Sequence, residues 1–403
     1  MPPSGRWVIL AVCTLAFVEV HVHRLAFSPL IPTFVADLGI TYTAAGTIQT
    51  AYFWTYTLFQ VPVGVLTDRW GARRVMLVFM SLLGLGAVWF ALSRSYPESI
   101  GARALIGAGA AAIWVPGMRL ITEWFPPEER GRVTGVFSAG GGVGGTLALV
   151  VVPWLAGRWG WRLAYGATAA PVLAVLALIL VFVRERGSSR GGPHPIAGAL
   201  RHVLATPAIW PYNLTVLFAY GAYFSMVTFL PAFFVERLHL SAAEAGFVTS
   251  LITAGTIVSW PLAGYLSDRL HRPKAVYLAS EVANVAVCVT FALVVPGLAF
   301  GGAALVAAAM GLVVGGMVTP YVMVMEMFPR ELAGTAMGVL NASCFAGGMI
   351  LPVILGGVVD VTGSFPAAFL VAAGVQAAAL LVGCLVSEPP TPPHGAEKRR
   401  GRA

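Results

Sequence analysis

Apolar runs of about twenty residues or more alternate with short polar breaks along the whole chain. They fall near residues 7–36, 43–66, 75–93, 99–122, 132–156 and 161–183. A second set follows near 208–236, 243–266, 275–295, 298–327, 331–359 and 365–386. An apolar helix needs about 20 residues to cross the hydrocarbon core of a bilayer. The pattern therefore predicts an all-α membrane protein with twelve transmembrane helices. Between the two sets lies a polar, basic stretch rich in Gly and Pro, from Arg184 to Pro195. It divides the chain into a six-helix bundle at 1–183, a cytoplasmic linker at 184–207 and a second bundle at 208–386. The remainder, 387–403, is Pro-rich and then basic, and its composition predicts a disordered cytoplasmic tail.

Composition agrees with that reading. Of 403 residues, 58% are hydrophobic and only 10% charged, whereas a soluble domain carries about 25% charged residues. The net charge of +8 sits in the short gaps between apolar runs, so it reads as a topology signal and not as a nucleic-acid footprint. Arg6, Arg69, Arg73, Arg74, Arg130, Arg132, the linker, Arg269, Arg272, Lys274 and the tail's Lys398, Arg399, Arg400 and Arg402 share one side. The other side has Arg94, Arg158, Arg162 and Arg237, partly offset by Asp37, Glu98, Glu236, Glu244 and Asp360. The positive-inside rule then puts both termini and the linker in the cytoplasm of a multi-pass protein of the plasma (inner) membrane. Cys13, Cys288, Cys344 and Cys384 lie in apolar segments without paired spacing, which supports neither a disulfide framework nor a zinc site. The first apolar run is too long for a signal peptide and is kept as the first helix.

The chain repeats itself. The loop Gly64-Val65-Leu66-Thr67-Asp68-Arg69-Trp70-Gly71-Ala72-Arg73-Arg74 returns as Gly264-Tyr265-Leu266-Ser267-Asp268-Arg269-Leu270-His271-Arg272-Pro273-Lys274. Each copy follows the second span of its half. Two parallel six-helix repeats about an axis normal to the membrane are the architecture of a secondary transporter that rocks between two open states.

These loops resemble the signature of the major facilitator superfamily, and the resemblance covers nearly the whole chain. Within it, the sequence is most similar to the anion–cation symporter branch, which includes hexuronate, galactonate and vesicular glutamate and phosphate carriers. The stretches that carry this are Gly46 to Pro62, Trp124-Phe125-Pro126-Pro127-Glu128-Glu129-Arg130-Gly131, Gly160-Trp161-Arg162, Tyr223 to Pro231, and Gly338-Val339-Leu340-Asn341 with Gly347, Gly348 and Pro352. The chain departs from the branch at two acidic positions. The usual Asp-Arg of the first helix is His23-Arg24 here, and Ala110 stands where a fourth-helix Glu often serves proton coupling. Any proton coupling is therefore relocated or lost.

The first span is interrupted by Val18-Glu19-Val20-His21-Val22-His23-Arg24. A charge at the centre of a spanning helix costs roughly 2.5–3.5 kcal/mol on insertion scales, so such groups face one another or a wet pathway. At helical spacing Phe17, His21, Arg24 and Ser28 form one stripe, and Glu19 and His23 a neighbouring one. Arg24 offers a fixed charge and a planar fork suited to carboxylate, sulfonate or phosphate. The resemblance implies that it binds the substrate anion; the alternative is a structural ion pair with Glu19. Spans 7, 8, 10 and 11 carry no Arg or Lys away from their ends. That favours a monoanion over a dianion, and counts against nitrate and oxalate carriers, which use a second basic residue. Glu19, His21 and His23 are groups able to exchange a proton near neutral pH; the alternative is a hydrogen-bonded packing cluster. Residues two apart on a helix point to different faces, so these three do not form a metal site.

Tyr56 and Gln60 share a face of the second span, and Tyr220 and Tyr223 lie mid-span in the seventh. The resemblance implies that Tyr56, Tyr223 and Asn341 line the cavity, though each also suits an interhelical hydrogen bond. Glu281 and Asn284 fall in the ninth span, peripheral in this fold, and read as packing or lipid-interface residues. Arg103 resembles the superfamily's fourth-helix Arg motif. Asp68, Arg69 and Arg73, with Asp268, Arg269 and Arg272, are expected to make charge contacts that gate the cytoplasmic side. The expectation is a monomeric, proton-coupled symporter of a small organic monoanion, needing no cofactor, metal or nucleic acid. The alternatives are an exporter or facilitator without proton coupling, and a non-transporting receptor; no nucleophile–base pair marks an enzyme.

Overall fold

The computed structural model describes residues 5–185 and 196–388. Linker residues 186–195 and tail residues 389–403 lie outside the described residues. Among the described residues, ten stretches are long and apolar enough to span a membrane. One of them, Arg132–Phe182, holds two helices parted at Gly160, whose φ of 79° breaks the run. Tyr42–Trp70, more polar but 29 residues long, completes twelve. The helices are α1 (Gly5–Leu38), α2 (Tyr42–Trp70), α3 (Ala72–Leu92), α4 (Tyr96–Trp124), α5 (127–159), α6 (161–182), α7 (Pro207–Arg237), α8 (Ala242–Leu270), α9 (Pro273–Leu293), α10 (Phe300–Met327), α11 (Arg330–Thr362) and α12 (Phe365–Leu385). The span expected from the sequence as linker, 184–207, contains a further helix, Ile196–Ala205. Ser387 and Glu388, expected in the disordered tail, are tied down: the Tyr212 hydroxyl donates to the Ser387 carbonyl, and the Lys274 backbone N–H donates to Glu388 at 3.3 Å.

The two halves repeat one another down to the backbone. Among the described residues, positive φ occurs at Gly39, His239, Gly71, His271, Gly160 and Gly363. These form three pairs at matching turns. Where the first half uses Gly39 and Gly71, the second holds histidines at φ 53° and 52°. A side chain there is disfavoured by clash of its Cβ with the backbone. The helix breaks match as well. α4 is interrupted between Ala110 and Trp114, and α10 by the tight turn Val314–Val318. At the end away from the termini, Phe34 stacks on Phe90 and meets Trp161 edge to face, with Tyr165 tilted against Phe90, in the first half, while Phe233, Phe291, Phe365 and Phe369 fill the second.

The loops at the other end brace each half from within. The Arg73 backbone N–H donates to Glu185 at 2.8 Å and its guanidinium to the Leu180 carbonyl at 2.5 Å. In the second half Lys274 repeats both contacts, donating from its backbone N–H to Glu388 and from Nζ to the Cys384 carbonyl at 2.8 Å.

Among the described residues, the hydrogen bonds that join the halves all lie away from the termini. Asp360, near the end of α11, caps the start of α2 by accepting from the backbone N–H groups of Tyr42 and Thr43 at 2.8 and 2.7 Å. The Ser28 hydroxyl lies 2.6 and 2.8 Å from the Val227 and Thr228 carbonyls of α7. Thr146 of α5 meets Thr253 of α8 at 3.1 Å. Backbone contact is possible because Gly46 faces Pro352, and Gly246 faces Leu149; a Cβ at Gly246 would lie 2.0 Å from the Leu149 carbonyl oxygen. The seam is closed at this end.

Candidate functional site

Between the halves lies a central cavity of about 400 Å³. It is reached from α1 by a break in the helix. The chain leaves α-helical geometry after Leu25, makes one tight turn at Ser28–Leu30 around Pro29, and resumes at Ile31. Arg24 therefore sits on the last turn before the break, where its guanidinium enters the cavity.

All six residues expected to contact substrate line this one cavity: His21, Arg24, Tyr56, Gln60, Tyr223 and Asn341. Arg24 Nη1 donates to His21 Nε2 at 3.1 Å and Nε to the Tyr52 hydroxyl at 3.4 Å. Its charge lies over three rings, 5.0 Å from Tyr56, 5.4 Å from Phe345 and 5.8 Å from Tyr52. Among the described residues no carboxylate lies within salt-bridge distance of it. The alternative of an Arg24–Glu19 ion pair is not formed. His21 Nδ1 lies 3.1 Å from the Phe17 carbonyl, which only accepts, so Nδ1 carries the hydrogen and Nε2 is bare toward Arg24.

Among the described residues, Arg24 is the sole Lys or Arg in the cavity wall, and the wall has no Asp or Glu. The rest is aromatic, apolar or neutral and polar: Trp114 and Trp260, Tyr220 and Tyr321, Phe224 and Phe345 were not singled out as contacts by the sequence, apart from Tyr220. A stripe of aromatics at helical spacing marks a core as readily as a cavity, so the sequence carried no signal to separate them.

Glu19 and His23 are placed elsewhere. Both are buried, but neither lines the cavity. They face α6, with the Glu19 carboxylate 3.9 Å from His23 Nδ1. His23 Nδ1 also lies 2.9 Å from the Glu19 carbonyl, and Nε2 lies 3.1 Å from the Thr168 hydroxyl, itself 2.6 Å from the Tyr165 carbonyl. If Thr168 donates to Tyr165, Nε2 of a neutral ring is left without a donor, and only a protonated ring would bond to Thr168. If Thr168 turns to Nε2, the ring is neutral.

Behind the cavity, Arg103 is fully buried and joins three helices. It donates to the His23 carbonyl at 2.7 Å, to Gln49 Oε1 at 2.6 Å and to the Tyr165 hydroxyl at 3.3 Å. Gln49 in turn donates to the Arg24 carbonyl at 3.3 Å.

The gating residues divide unevenly. Asp68 pairs with Arg119 of α4 at 3.2 Å, a partner that sequence reading missed because 51 residues separate them. This contact lies within the first half and is present while the halves join only at the opposite end, so it is not itself a bolt between halves. Among the described residues Arg69, Asp268, Arg269 and Arg272 form no ion pair. Counting from Phe125 and Phe328, which open matching turns, Arg119 corresponds to Val322. Asp268 therefore lacks the partner that Asp68 has.

The profile of the Major Facilitator Superfamily matches residues 9–352 and 233–403. The chain belongs to that superfamily, a family of membrane transporters and not of enzymes. A nitrite extrusion protein of Bacillus subtilis (strain 168) is 25% identical over 94% of each chain. A hexuronate transporter of the same organism is 25% identical over 91% of each. A probable sulfoacetate transporter of Cupriavidus necator is 25% identical over 95% of this chain and 93% of its own. The fold matches a bacterial homologue of the human lysosomal transporter Spinster, in its inward-facing and occupied conformation, with a TM-score of 0.79, 17% identity and coverage of 94% and 96%.

Proposed function

We propose that this protein carries a small organic monoanion across the membrane by alternating access, in symport with protons. The observation that carries the reading is Arg24. It is a fixed cation in an aromatic-walled cavity with no carboxylate beside it. A buried charge without a partner is costly, and an anionic substrate offsets that cost. One such charge balances one negative charge, which fits a carboxylate or sulfonate headgroup. A relative named for hexuronate, a monocarboxylate, supports that class, and one named for sulfoacetate supports the headgroup chemistry though its substrate carries two charges.

In this reading Arg24, aimed by His21 in the cavity wall, holds the headgroup, and Tyr56, Gln60, Tyr223 and Asn341 hold the body. The Glu19–His23 pair carries the proton, sensed at the cavity through their shared helix. Both termini lie in the cytoplasm, and the molecule works as a monomer. Hydrogen bonds between the halves at the end away from the termini support a form open to the cytoplasm, in which Asp68, Arg69, Arg73, Asp268, Arg269 and Arg272 sit on the loops that would approach one another when that side closes. One observation favours a second reading, an exporter or facilitator without proton coupling: Glu19 and His23 stand off the cavity.

Uptake into proteoliposomes tests the proposal. A labelled monocarboxylate or sulfonate should accumulate when the outside is acidic, and Arg24→Ala should abolish it. Equal uptake with and without a pH gradient would support the facilitator; uptake by Arg24→Ala would refute the site.

A further inference from the structure

In the second half, apart from the cavity wall, α9 buries an acid. Glu281 is 0% exposed, Asn284 2% and Gln376 1%, which leaves the packing alternative and removes the lipid-interface one. Gln376 of α12 donates from Nε2 to Glu281 Oε2 at 2.5 Å. The other carboxyl oxygen, Oε1, is buried without a partner, and so is Asn284 Oδ1, three residues on along the same face of α9. Among the described residues no Lys, Arg or His pairs with Glu281. The titratable groups close enough to feel its charge are Tyr277 and Cys288 of α9 and Tyr220 of α7, and the Tyr277 hydroxyl also lies within hydrogen-bonding reach of the carboxyl as a neutral donor. The elements packed against it from α8, α10 and α12 supply no counter-charge.

The fold does not demand a polar group here. Arg73 and Lys274 make equivalent contacts, as do Leu180 and Cys384, and these fix the register between halves. In that register Glu281, Asn284 and Gln376 correspond to Met80, Leu83 and Val172, all buried and apolar. An ionised carboxylate without a cation is strongly disfavoured in such a place. Two unpaired acceptor oxygens match a single proton, held by one and accepted by the other. A metal ion would require several more oxygens.

We infer that Glu281 is a second proton-binding site, with its acid hydrogen on Oε1 shared with Asn284 Oδ1. A chain of contacts leads from it to the cavity. Asn284 Nδ2 donates to Ser280 Oγ at 3.4 Å, and the Ser280 hydroxyl donates to the Val313 carbonyl, where α10 breaks. Ser280 packs directly on that break, since a Cβ at Gly316 would lie 2.3 Å from its own. The far side of the same break is Met317, whose carbonyl accepts from the Tyr220 hydroxyl at 3.4 Å, and then Val318 and Tyr321, which line the cavity. Loss of the proton leaves a charge on Glu281 and removes its hold on Asn284. The Ser280 contact loosens, and the cavity wall on α10 is free to move.

The proton site stands apart from the anion proposal; only its link to transport rests on that reading. Infrared difference spectra of the purified protein, in water and in heavy water, test the site directly. Wild type at neutral pH should show the carbonyl stretch of a buried protonated carboxyl, lost in Glu281→Gln and retained in Glu19→Gln. Asn284→Leu should shift that band, a check that survives if Glu281→Gln fails to fold. An unchanged band in Glu281→Gln would overturn the site, and so would its removal by added sodium chloride at constant pH and ionic strength. For the link, Glu281→Gln should reduce the stimulation of uptake by an acidic exterior by about tenfold, with anion affinity within about twofold of wild type. Undiminished stimulation would overturn the link and leave the site standing. Absence of anion binding in wild type would sink the transport reading while leaving the infrared result intact.

Discussion

Arg24 and His21, one turn apart on α1, are joined from Nη1 to Nε2 at 3.1 Å, with the ring held in place by the Phe17 carbonyl. The imidazole thus aims the guanidinium into the cavity as a neutral acceptor. A carboxylate entering the site meets a cation already oriented, and loses less freedom in binding.

His21→Ala should leave the charge but free its direction. The expected result is a rise in KM for the transported anion of about tenfold, the loss of one charge-assisted hydrogen bond. Arg24→Lys should not restore Arg24→Ala, because an ammonium lacks the planar fork and sits differently among the three rings. Initial rates of uptake for the three variants check both statements.

Asp360→Asn should weaken the cap on α2 without breaking its fold. The carboxylate of Asp360 accepts two backbone N–H groups and the Thr43 hydroxyl across the seam. Removing its charge at a helix N-terminus should cost about 1 kcal/mol of the closed arrangement at that end. A single cysteine at Thr253, in a background without Cys13, Cys288, Cys344 and Cys384, should then react faster with an impermeant thiol reagent added from the outer side.

Gly246→Val should act more severely in the same direction. Its side chain would overlap the Leu149 carbonyl and Pro153, so α5 and α8 could not meet as they do. Transport should be lost while the protein still purifies, because each half keeps its own core. Retained transport would show that the seam is not required.

His239→Gly should stabilise the protein. His239 holds a φ of 53° where its counterpart is Gly39. Relief of the Cβ clash is worth about 1–2 kcal/mol, reduced by the greater freedom of glycine in the unfolded chain. A higher melting temperature in detergent is expected, and a lower one for His239→Val.

Most of the twelve spans were legible from apolar length, the more polar Tyr42–Trp70 and the break at Gly160 from the polar gaps that flank them, and the repeated Asp-Arg loops disclosed the two halves. The stripe of His21 and Arg24 was legible from helical spacing. Which stripe of α1 faces the cavity was only half legible, since Glu19, His23 and Arg24 are all buried and α1 is covered on several sides. Arg119 was missed because its partner Asp68 is local only in space. For Glu281 the sequence left packing and lipid-interface roles open, and the structure leaves packing alone, because a peripheral helix can still turn a face into its own bundle, against Gln376 and away from lipid.

Ligand-induced stabilisation of the purified protein and of Arg24→Ala tests the central claim most directly. A ligand that binds the folded state raises its stability by RT ln(1 + [L]/Kd), so even weak substrates register at high concentration. Monocarboxylates or sulfonates should raise the melting temperature of wild type, dianions less so, and the mutant should not respond. Equal stabilisation of the mutant by anions, or a response to neutral and cationic compounds alone, would contradict an anion site at Arg24.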